Sequence, residues 1–247
     1  MGQDVLREDR DGLCLLTLNR PQKLNSLTVA MFADLGEHVS ALADDASIGC
    51  VVLRGAGRCF SAGHDLNDIA AGEALPRPNF QAHVISALAN LPQPVITAVH
   101  GHCYTGGLEL ALAGDVILAA ETARFADTHA RWALVPVWGG SQRLQRRVGK
   151  AKAAEMMFTC DPVLGVEAAA IGLANRCYPD EVFEAEVLAF ARRILANSPH
   201  SNRANKRLLN ETDGLPLAAG LAHEIYAGAG RGPDMAERLA AFARRKP

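Results

Sequence analysis

The sequence of 247 residues lacks the short motifs that identify several common classes of protein. Its six cysteines include no C-x-x-C pair, so reduced and mostly buried thiols in a cytoplasm are the simplest interpretation. The G-x-G-x-x-G pattern is absent. Gly101 and Gly106 have phosphate-loop spacing, but Gly107 and Leu108 follow in place of Lys and Ser or Thr. These absences argue against a nucleotide bound through a glycine-rich motif.

Neither a strong excess of charge nor a long uninterrupted apolar segment is present. The formal net charge of −2 gives no reason to expect nucleic acid or an anionic membrane as a partner. Residues 78–108 contain no Asp, Glu, Lys or Arg, but Pro92, Pro94 and three glycines divide them, which argues against membrane insertion. Residues 1–12 are polar and charged and show no signal peptide, so we expect a cytoplasmic protein. The run HGHC at 100–103 has no accompanying fourth ligand, so we expect no metal.

Short apolar runs alternate with segments of helical periodicity in the first half of the chain. The runs predict strands at 13–21, 50–57, 94–101 and within 115–127. The periodic segments predict helices at 26–45, with Thr28 as N-cap, and at 78–92. From about residue 139 the pattern is almost entirely helical, at 141–148, 150–159, 165–172, 180–197, 199–211, 216–227 and 233–245. The sequence therefore predicts an α/β core, with parallel strands covered on both faces, and a helical C-terminal third.

The segment GHCYTGGLELALAGD, residues 101–115, places one carboxylate in an apolar helix directly after a glycine turn. A helical glutamate is normally solvated on a polar face, but Glu109 has no polar face around it. One turn away on either side stand Thr105 and Ala113, so no local cation pairs with it. A carboxylate among apolar neighbours has a raised pKa, which suits acid–base chemistry.

Unpaired backbone N–H groups at the same turn would suit the oxygen of a polarised carbonyl. A second such turn lies in RCFSAGHDL, residues 58–66, after another predicted strand. Loops that follow parallel strands converge at one edge of the sheet, so the two turns would form an oxyanion hole beside a carboxylate. That arrangement favours enolate chemistry at a carbonyl or thioester, and the ordinary alternative is two tight turns. A nucleophilic Ser61 is not expected, because Cys59 stands where the G-x-S-x-G elbow needs glycine.

Seven segments match the pattern of one family in order and across nearly the whole chain. They are LNRPQKLNSL (18–27), GRCFSAGHDL (57–66), LPQPVITAVHGHCYTGGLELALAGD (91–115), VPVWGGSQRLQRRVGKAKAAEMM (135–157), AIGLANRCYP (170–179), SPHSNRANKRLL (198–209) and ERLAAFARRKP (237–247). The chain thereby resembles the enoyl-CoA hydratase/isomerase (crotonase) family. The resemblance implies a crotonase-like ββα spiral core over 1–190 and a helical C-terminal trimerisation region over 191–247. It also implies a homotrimer or homohexamer that acts on acyl-CoA, with no cofactor beyond the coenzyme A of the substrate.

The resemblance also implies roles for individual residues. The backbone N–H groups of His64 and Gly106 would hold the thioester oxygen, and Glu109 would be the first of two catalytic glutamates. Residues implied along the CoA and acyl group are Lys23, Asn25, Ser26, Leu27, Ala62, Asp65, Leu66, Trp138, Phe242 and Lys246. Trp132 and Trp138 would narrow the acyl pocket.

One position departs from the hydratase pattern. Hydratases carry a second glutamate after the RF strand, and aligning RFADTHARWALVPVWGG (124–140) on Phe125 and Pro136 places His129 there. Imidazole titrates in a useful range, so Glu109 and His129 would still permit hydration. Isomerisation, cleavage, thioester hydrolysis, a histidine that only shapes the pocket, and a catalytically silent acyl-CoA binder remain alternatives. We predict an enoyl-CoA hydratase with Glu109 and His129 as its catalytic residues.

Overall fold

The computed structural model describes residues 3–244, which fold into two β-sheets covered by helices. The strands are β1 Val5–Arg10, β2 Leu13–Leu18, β3 Cys50–Gly55, β4 Val95–Val99, β5 His102–Tyr104, β6 Val116–Ala120, β7 Arg124–Ala126, β8 Val163–Leu164 and β9 Arg176–Tyr178. The α-helices are α1 Val29–Ala43, α2 Leu66–Ala71, α3 Phe80–Ala89, α4 Gly106–Ala111, α5 Gly140–Thr159, α6 Gly165–Ala170, α7 Phe183–Leu195, α8 Pro199–Thr212, α9 Leu217–Ala227 and α10 Met235–Arg244. Short 3-10 helices span Pro21–Lys23, His129–Trp132 and Asp180–Val182.

The larger sheet has the strand order β1-β2-β3-β4-β6-β9, and the smaller has the order β5-β7-β8. Neighbouring strands from β2 to β9 in the larger sheet are parallel, as predicted. Two pairs that the sequence did not predict are antiparallel, β1 with β2 and β7 with β8. The β1–β2 exception follows from chain length, because a two-residue turn joins these strands and a parallel connection needs many more residues.

Apolar residues cover both faces of the larger sheet. Successive strand residues point to opposite faces, so Leu16 and Leu53 pack with helices α1 and α3, whereas Leu15 and Val52 pack with α7. This arrangement explains why the strand segments read as continuous apolar runs and confirms the predicted burial on both faces. The predicted cap of α1 is also confirmed, because the hydroxyl of Thr28 accepts a hydrogen bond from the amide of Met31 at 3.1 Å.

The C-terminal third is mostly helical, as predicted, and the short strands β8 and β9 lie between the predicted helices. These strands have only two and three residues, too few to show a period of two. The helices predicted at 141–148 and 150–159 are both present within α5, separated by Gly149, whose backbone is not helical (φ 77°, ψ 157°). In the described residues, no helix is long and apolar enough to cross a membrane.

Candidate active site

The glycine turn between β5 and α4 brings the start of α4 against two other parts of the chain. A Cβ atom on Gly106 would lie 2.5 Å from Cζ3 of Trp138, and one on Gly107 would lie 2.8 Å from the carbonyl oxygen of Ser61. A larger residue at either position would therefore force the segments apart. The glycine turn before α4 therefore lies directly against the 58–66 segment, as the sequence predicted.

Glu109 lies on α4, and only 3% of it is exposed. One carboxylate oxygen, Oε1, accepts hydrogen bonds from the amides of Trp138 and Gly140, each at 2.9 Å. A Cβ on Gly140 would lie 2.9 Å from Cγ of Glu109, so glycine lets α5 begin against the carboxylate. Burial raises the pKa of Glu109, and the two amide hydrogen bonds oppose that rise only in part. The raised pKa predicted from the apolar neighbours of Glu109 is confirmed.

The second carboxylate oxygen of Glu109, Oε2, lies near the ring of the buried His129, and Asp127 lies on the other side of that ring. Nε2 of His129 lies 3.6 Å from Oε2 of Glu109. On the other side of the ring, Nδ1 of His129 lies 2.6 Å from Oδ1 of Asp127, which also accepts the amide of His129 at 3.0 Å. Because the aspartate can only accept, Nδ1 carries the proton in the neutral ring, and Nε2 offers a lone pair towards Glu109. Asp127 and His129 are therefore hydrogen-bonded to each other, and the carboxylate of Glu109 lies within ion-pair distance of the ring.

Two backbone amides next to Glu109 are free to receive an oxygen. A Cβ built on Gly106 would lie 3.3 Å from the amide nitrogen of His64, which shows how closely the two turns approach. The backbone of Leu27 is hydrogen-bonded to the residues on either side of His64. Its amide donates to the carbonyl of Gly63, and its carbonyl accepts from the amide of Asp65. Within residues 3–244, neither the amide of His64 nor that of Gly106 donates to another protein group. This pairing of unused donors has the form of an oxyanion hole.

Ser61 holds this region together and does not face the cavity. Its hydroxyl donates to the carbonyl of Asn25 at 2.8 Å and accepts from the amide of Gly63 at 3.1 Å. Ser61 is fully buried. Both bonds fix the turn that carries His64, so the serine acts on the shape of the site.

A cavity of about 360 Å³ adjoins these groups. Four of its lining residues are ionisable and the others are mainly apolar. The lining consists of His64, Ile69, Glu73, Gly106, Glu109, His129, Ala133, Leu134, Val135, Val137 and Trp138. A neighbouring cavity of about 260 Å³ shares His64 and Leu134 with it and is also lined by Ala62, Leu66 and Trp132. An extended ligand that occupied both cavities would pass His64 between them.

Several residues predicted to lie along the CoA form a network beneath the surface. The side chains of Asn25 and Leu27 are buried, and Nδ2 of Asn25 donates to the carbonyls of Ala56 and Cys59 at 2.9 and 2.8 Å. Their side chains therefore shape the 20–27 loop instead of facing a ligand. Ser26 donates to Asp65 at 2.9 Å, which ties this loop to the start of α2.

Two other predicted CoA residues are exposed and do not line either cavity. Lys23 is exposed, and Phe242 is 66% exposed on α10. Lys246 lies outside the described residues. The prediction that Phe242 and Lys246 lie along the CoA stays a prediction.

Two features of the site were not assigned from the sequence. Asp127 directly follows β7, which ends at Ala126, so strand alternation does not fix the direction of its side chain. No pattern in the sequence indicated a role for Glu73, because it lies between α2 and α3 in a polar segment that has neither helical nor strand periodicity. Only the folded chain places Glu73 beside His64.

Comparison with known proteins gives one consistent result. Residues 8–228 match the family model described as enoyl-CoA hydratase/isomerase. The 2,3-dehydroadipyl-CoA hydratase of Escherichia coli is 33% identical, over 98% of this chain and 95% of its own length. The 1,2-epoxyphenylacetyl-CoA isomerase of the same organism is also 33% identical, over 100% and 98%. The crystal structure of an enoyl-CoA hydratase from Bacillus anthracis superposes with a TM-score of 0.91 at 31% identity, covering 99% of this chain and 97% of that one.

Proposed function

Because this chain belongs to the enoyl-CoA hydratase/isomerase family, we propose that it is an enzyme that adds water to the double bond of a 2-enoyl-CoA. One observation carries the proposal. A buried carboxylate, Glu109, lies between a pair of unused backbone amides and an imidazole that Asp127 orients. Hydration of an enoyl thioester needs these three elements: donors for the thioester oxygen, a base for water and an acid for the α-carbon.

The oxyanion hole supplies the electrostatic part of the reaction. As water attacks the β-carbon, negative charge develops on the thioester oxygen. The amides of His64 and Gly106 would donate to that oxygen and stabilise the enolate. Since both donors are backbone groups in glycine-supported turns, they are positioned before the substrate binds.

His129 and Glu109 divide the proton transfers. Nε2 of His129 would accept a proton from the attacking water, and Asp127 would stabilise the imidazolium that forms. Glu109, whose pKa burial raises, would donate a proton to the α-carbon as the enolate collapses. The imidazolium then lies beside the newly ionised carboxylate. Transfer of one proton from Nε2 to Oε2 restores both groups for the next turnover.

Incubation with a panel of 2-enoyl-CoAs tests this proposal directly. Crotonyl-CoA and longer, branched and hydroxylated 2-enoyl-CoAs would be mixed with the protein, and the products would be identified by mass. We expect a product that has gained one water molecule. A product of unchanged mass with a shifted double bond would contradict hydration.

Double-bond isomerisation is the second candidate, and the residue at position 129 favours it. The second acid of hydratases is replaced by His129, and isomerisation needs only one group that removes a proton and returns it to another carbon. Glu109 meets this requirement alone. In that case loss of the His129 imidazole would leave the rate nearly unchanged.

The C-terminal helices support a proposal on assembly. Large apolar side chains on α9 face solvent, with Leu217 78%, Ile225 71% and Tyr226 88% exposed. Apolar surface of this kind marks an interface between proteins. We therefore propose a homotrimer or a pair of trimers. Sedimentation at micromolar concentration tests it, and a stable monomer would contradict it.

A cytoplasmic location is also a proposal. Within the described residues all six cysteines are unbridged, and five of them are buried. Unbridged thiols agree with a reducing compartment.

A further inference from the structure

The cavity beside Glu109 and His129 is lined by more ionisable side chains than the proposed reaction uses. Glu109 and His129 serve the proton transfers, and His64 contributes its backbone amide. The imidazole of His64 and the carboxylate of Glu73 also line the cavity but have no part in those steps. An ionisable pair in a mainly apolar cavity is costly to desolvate, so its presence there calls for a partner in the ligand.

Two neighbouring side chains, Gln81 and Trp138, hold the Glu73–His64 pair in place. Nε2 of His64 lies 2.5 Å from Oε1 of Glu73, and Nε2 of Gln81 donates to Oε2 of Glu73 at 3.1 Å. The ring of His64 packs on Trp138, with centroids 4.7 Å apart. Both side chains are largely buried, with 19% of His64 and 14% of Glu73 exposed. The pair is therefore a fixed part of the cavity wall.

The hydrogen-bonding groups that this wall offers to a ligand are acceptors. A carboxylate has about four acceptor positions, and His64 and Gln81 occupy two of those on Glu73. In a neutral ring the Nε2–H of His64 is directed to Glu73, which leaves Nδ1 as a further acceptor. A ligand that donates a hydrogen bond would complete this wall.

Three kinds of acyl group would meet the wall differently. A plain alkyl chain would displace water from the Glu73 carboxylate without replacing its hydrogen bonds. An acyl group ending in a carboxylate would bring a like charge to Glu73. A hydroxyl would donate to the carboxylate and add little volume. On the basis of the proposed function, we propose that the Glu73–His64 pair selects acyl-CoAs whose acyl chain carries a hydroxyl group.

Binding of saturated acyl-CoAs tests this selection without requiring turnover. Matched sets of ω-methyl, ω-hydroxy and ω-carboxy acyl-CoAs, with chains of four to about ten carbons, would be titrated into the wild-type protein by calorimetry. At one chain length the ω-hydroxy ligand should bind about tenfold or more tightly than its ω-methyl counterpart, since the bond is to a charged acceptor. The ω-carboxy ligand should bind most weakly.

Two substitutions at Glu73 test whether this residue causes the preference for a hydroxylated ligand. Glu73→Gln keeps the size and loses the charge, so the preference for the hydroxyl should fall severalfold. Glu73→Leu should reverse the preference in favour of the methyl ligand. Asp68→Asn, a control that removes a carboxylate of α2 not lining the cavity, should leave the preference unchanged.

The outcomes separate this proposal from the proposed function. Equal affinity for hydroxyl and methyl ligands at every chain length in wild type, or a preference that Glu73→Leu leaves intact, would overturn the selection by Glu73 while acyl-CoA binding stands. Absence of binding by any acyl-CoA would overturn both. A hydroxyl preference that is lost in Glu73→Leu and kept in Asp68→Asn would establish it.

Discussion

Nε2 of His129 lies 3.6 Å from Oε2 of Glu109, and both side chains are buried. The separation is longer than a hydrogen bond but short enough for a proton to pass after a small movement of either side chain. The free carboxylate oxygen of Glu109 therefore has a buried imidazole within reach.

Loss of the imidazole should lower the rate of hydration. His129→Ala removes the group that accepts the proton of water, so kcat should fall by about 10²-fold or more with little change in KM. His129→Glu restores a carboxylate at this position and should be faster than His129→Ala on crotonyl-CoA. Steady-state kinetics of the three proteins measure this. Equal rates for wild type and His129→Ala would remove His129 from the mechanism.

Loss of the Asp127 charge should affect kcat through the imidazolium of His129. In Asp127→Asn the amide oxygen can still accept from Nδ1–H and from the backbone amide of His129, but the negative charge beside the ring is lost. We expect kcat to fall at least about tenfold and the pH–rate profile to shift, because the imidazolium is no longer stabilised. Asp161→Asn, an exposed aspartate, serves as the control. An unchanged profile in Asp127→Asn would show that Asp127 has only a packing role.

The raised pKa of Glu109 should appear in the stability of the protein. A carboxyl whose pKa is higher in the folded state contributes stability that is fully present below its unfolded pKa, about 4.3, and is lost as the pH rises through the folded pKa. Glu109→Gln cannot ionise. The free energy of unfolding of the variant, relative to wild type, should therefore increase as the pH rises from about 4, and then level off.

Urea unfolding of both proteins between about pH 4 and 8 measures this difference. Glu37→Gln, an exposed position on α1, controls for the general effect of removing a carboxyl. If the difference in the free energy of unfolding between Glu109→Gln and wild type is constant with pH, ionisation of Glu109 does not destabilise the folded protein.

Much of the fold followed from local patterns in the sequence. Strands such as β3 and β4 are continuous apolar runs because both of their faces are buried, and the helices have clear periodicity. Strand β1 was missed because it lies at the edge of the sheet, where polar residues such as Arg7 and Glu8 are tolerated. Strands β8 and β9 are too short to show a pattern.

The site residues that could be predicted from the sequence are those whose chemistry differs from that of their sequence neighbours. Glu109 was found because a carboxylate in an apolar helix is unusual, and the oxyanion turns were found from their glycines. Asp127 and Glu73 stand in polar segments where a carboxylate is unremarkable. Their roles depend on contacts with His129 and His64 that only the tertiary structure creates.

The central claim is that Glu109 transfers the proton to the substrate. The most direct test is the rate of water addition to a 2-enoyl-CoA by wild type and by Glu109→Gln, with acyl-CoA affinity measured in parallel. Glutamine can still accept the amides of Trp138 and Gly140, so the site should keep its shape. We expect unchanged affinity and a kcat lower by about 10²–10⁴-fold. Full activity of Glu109→Gln would contradict the account and leave Glu109 as a structural residue.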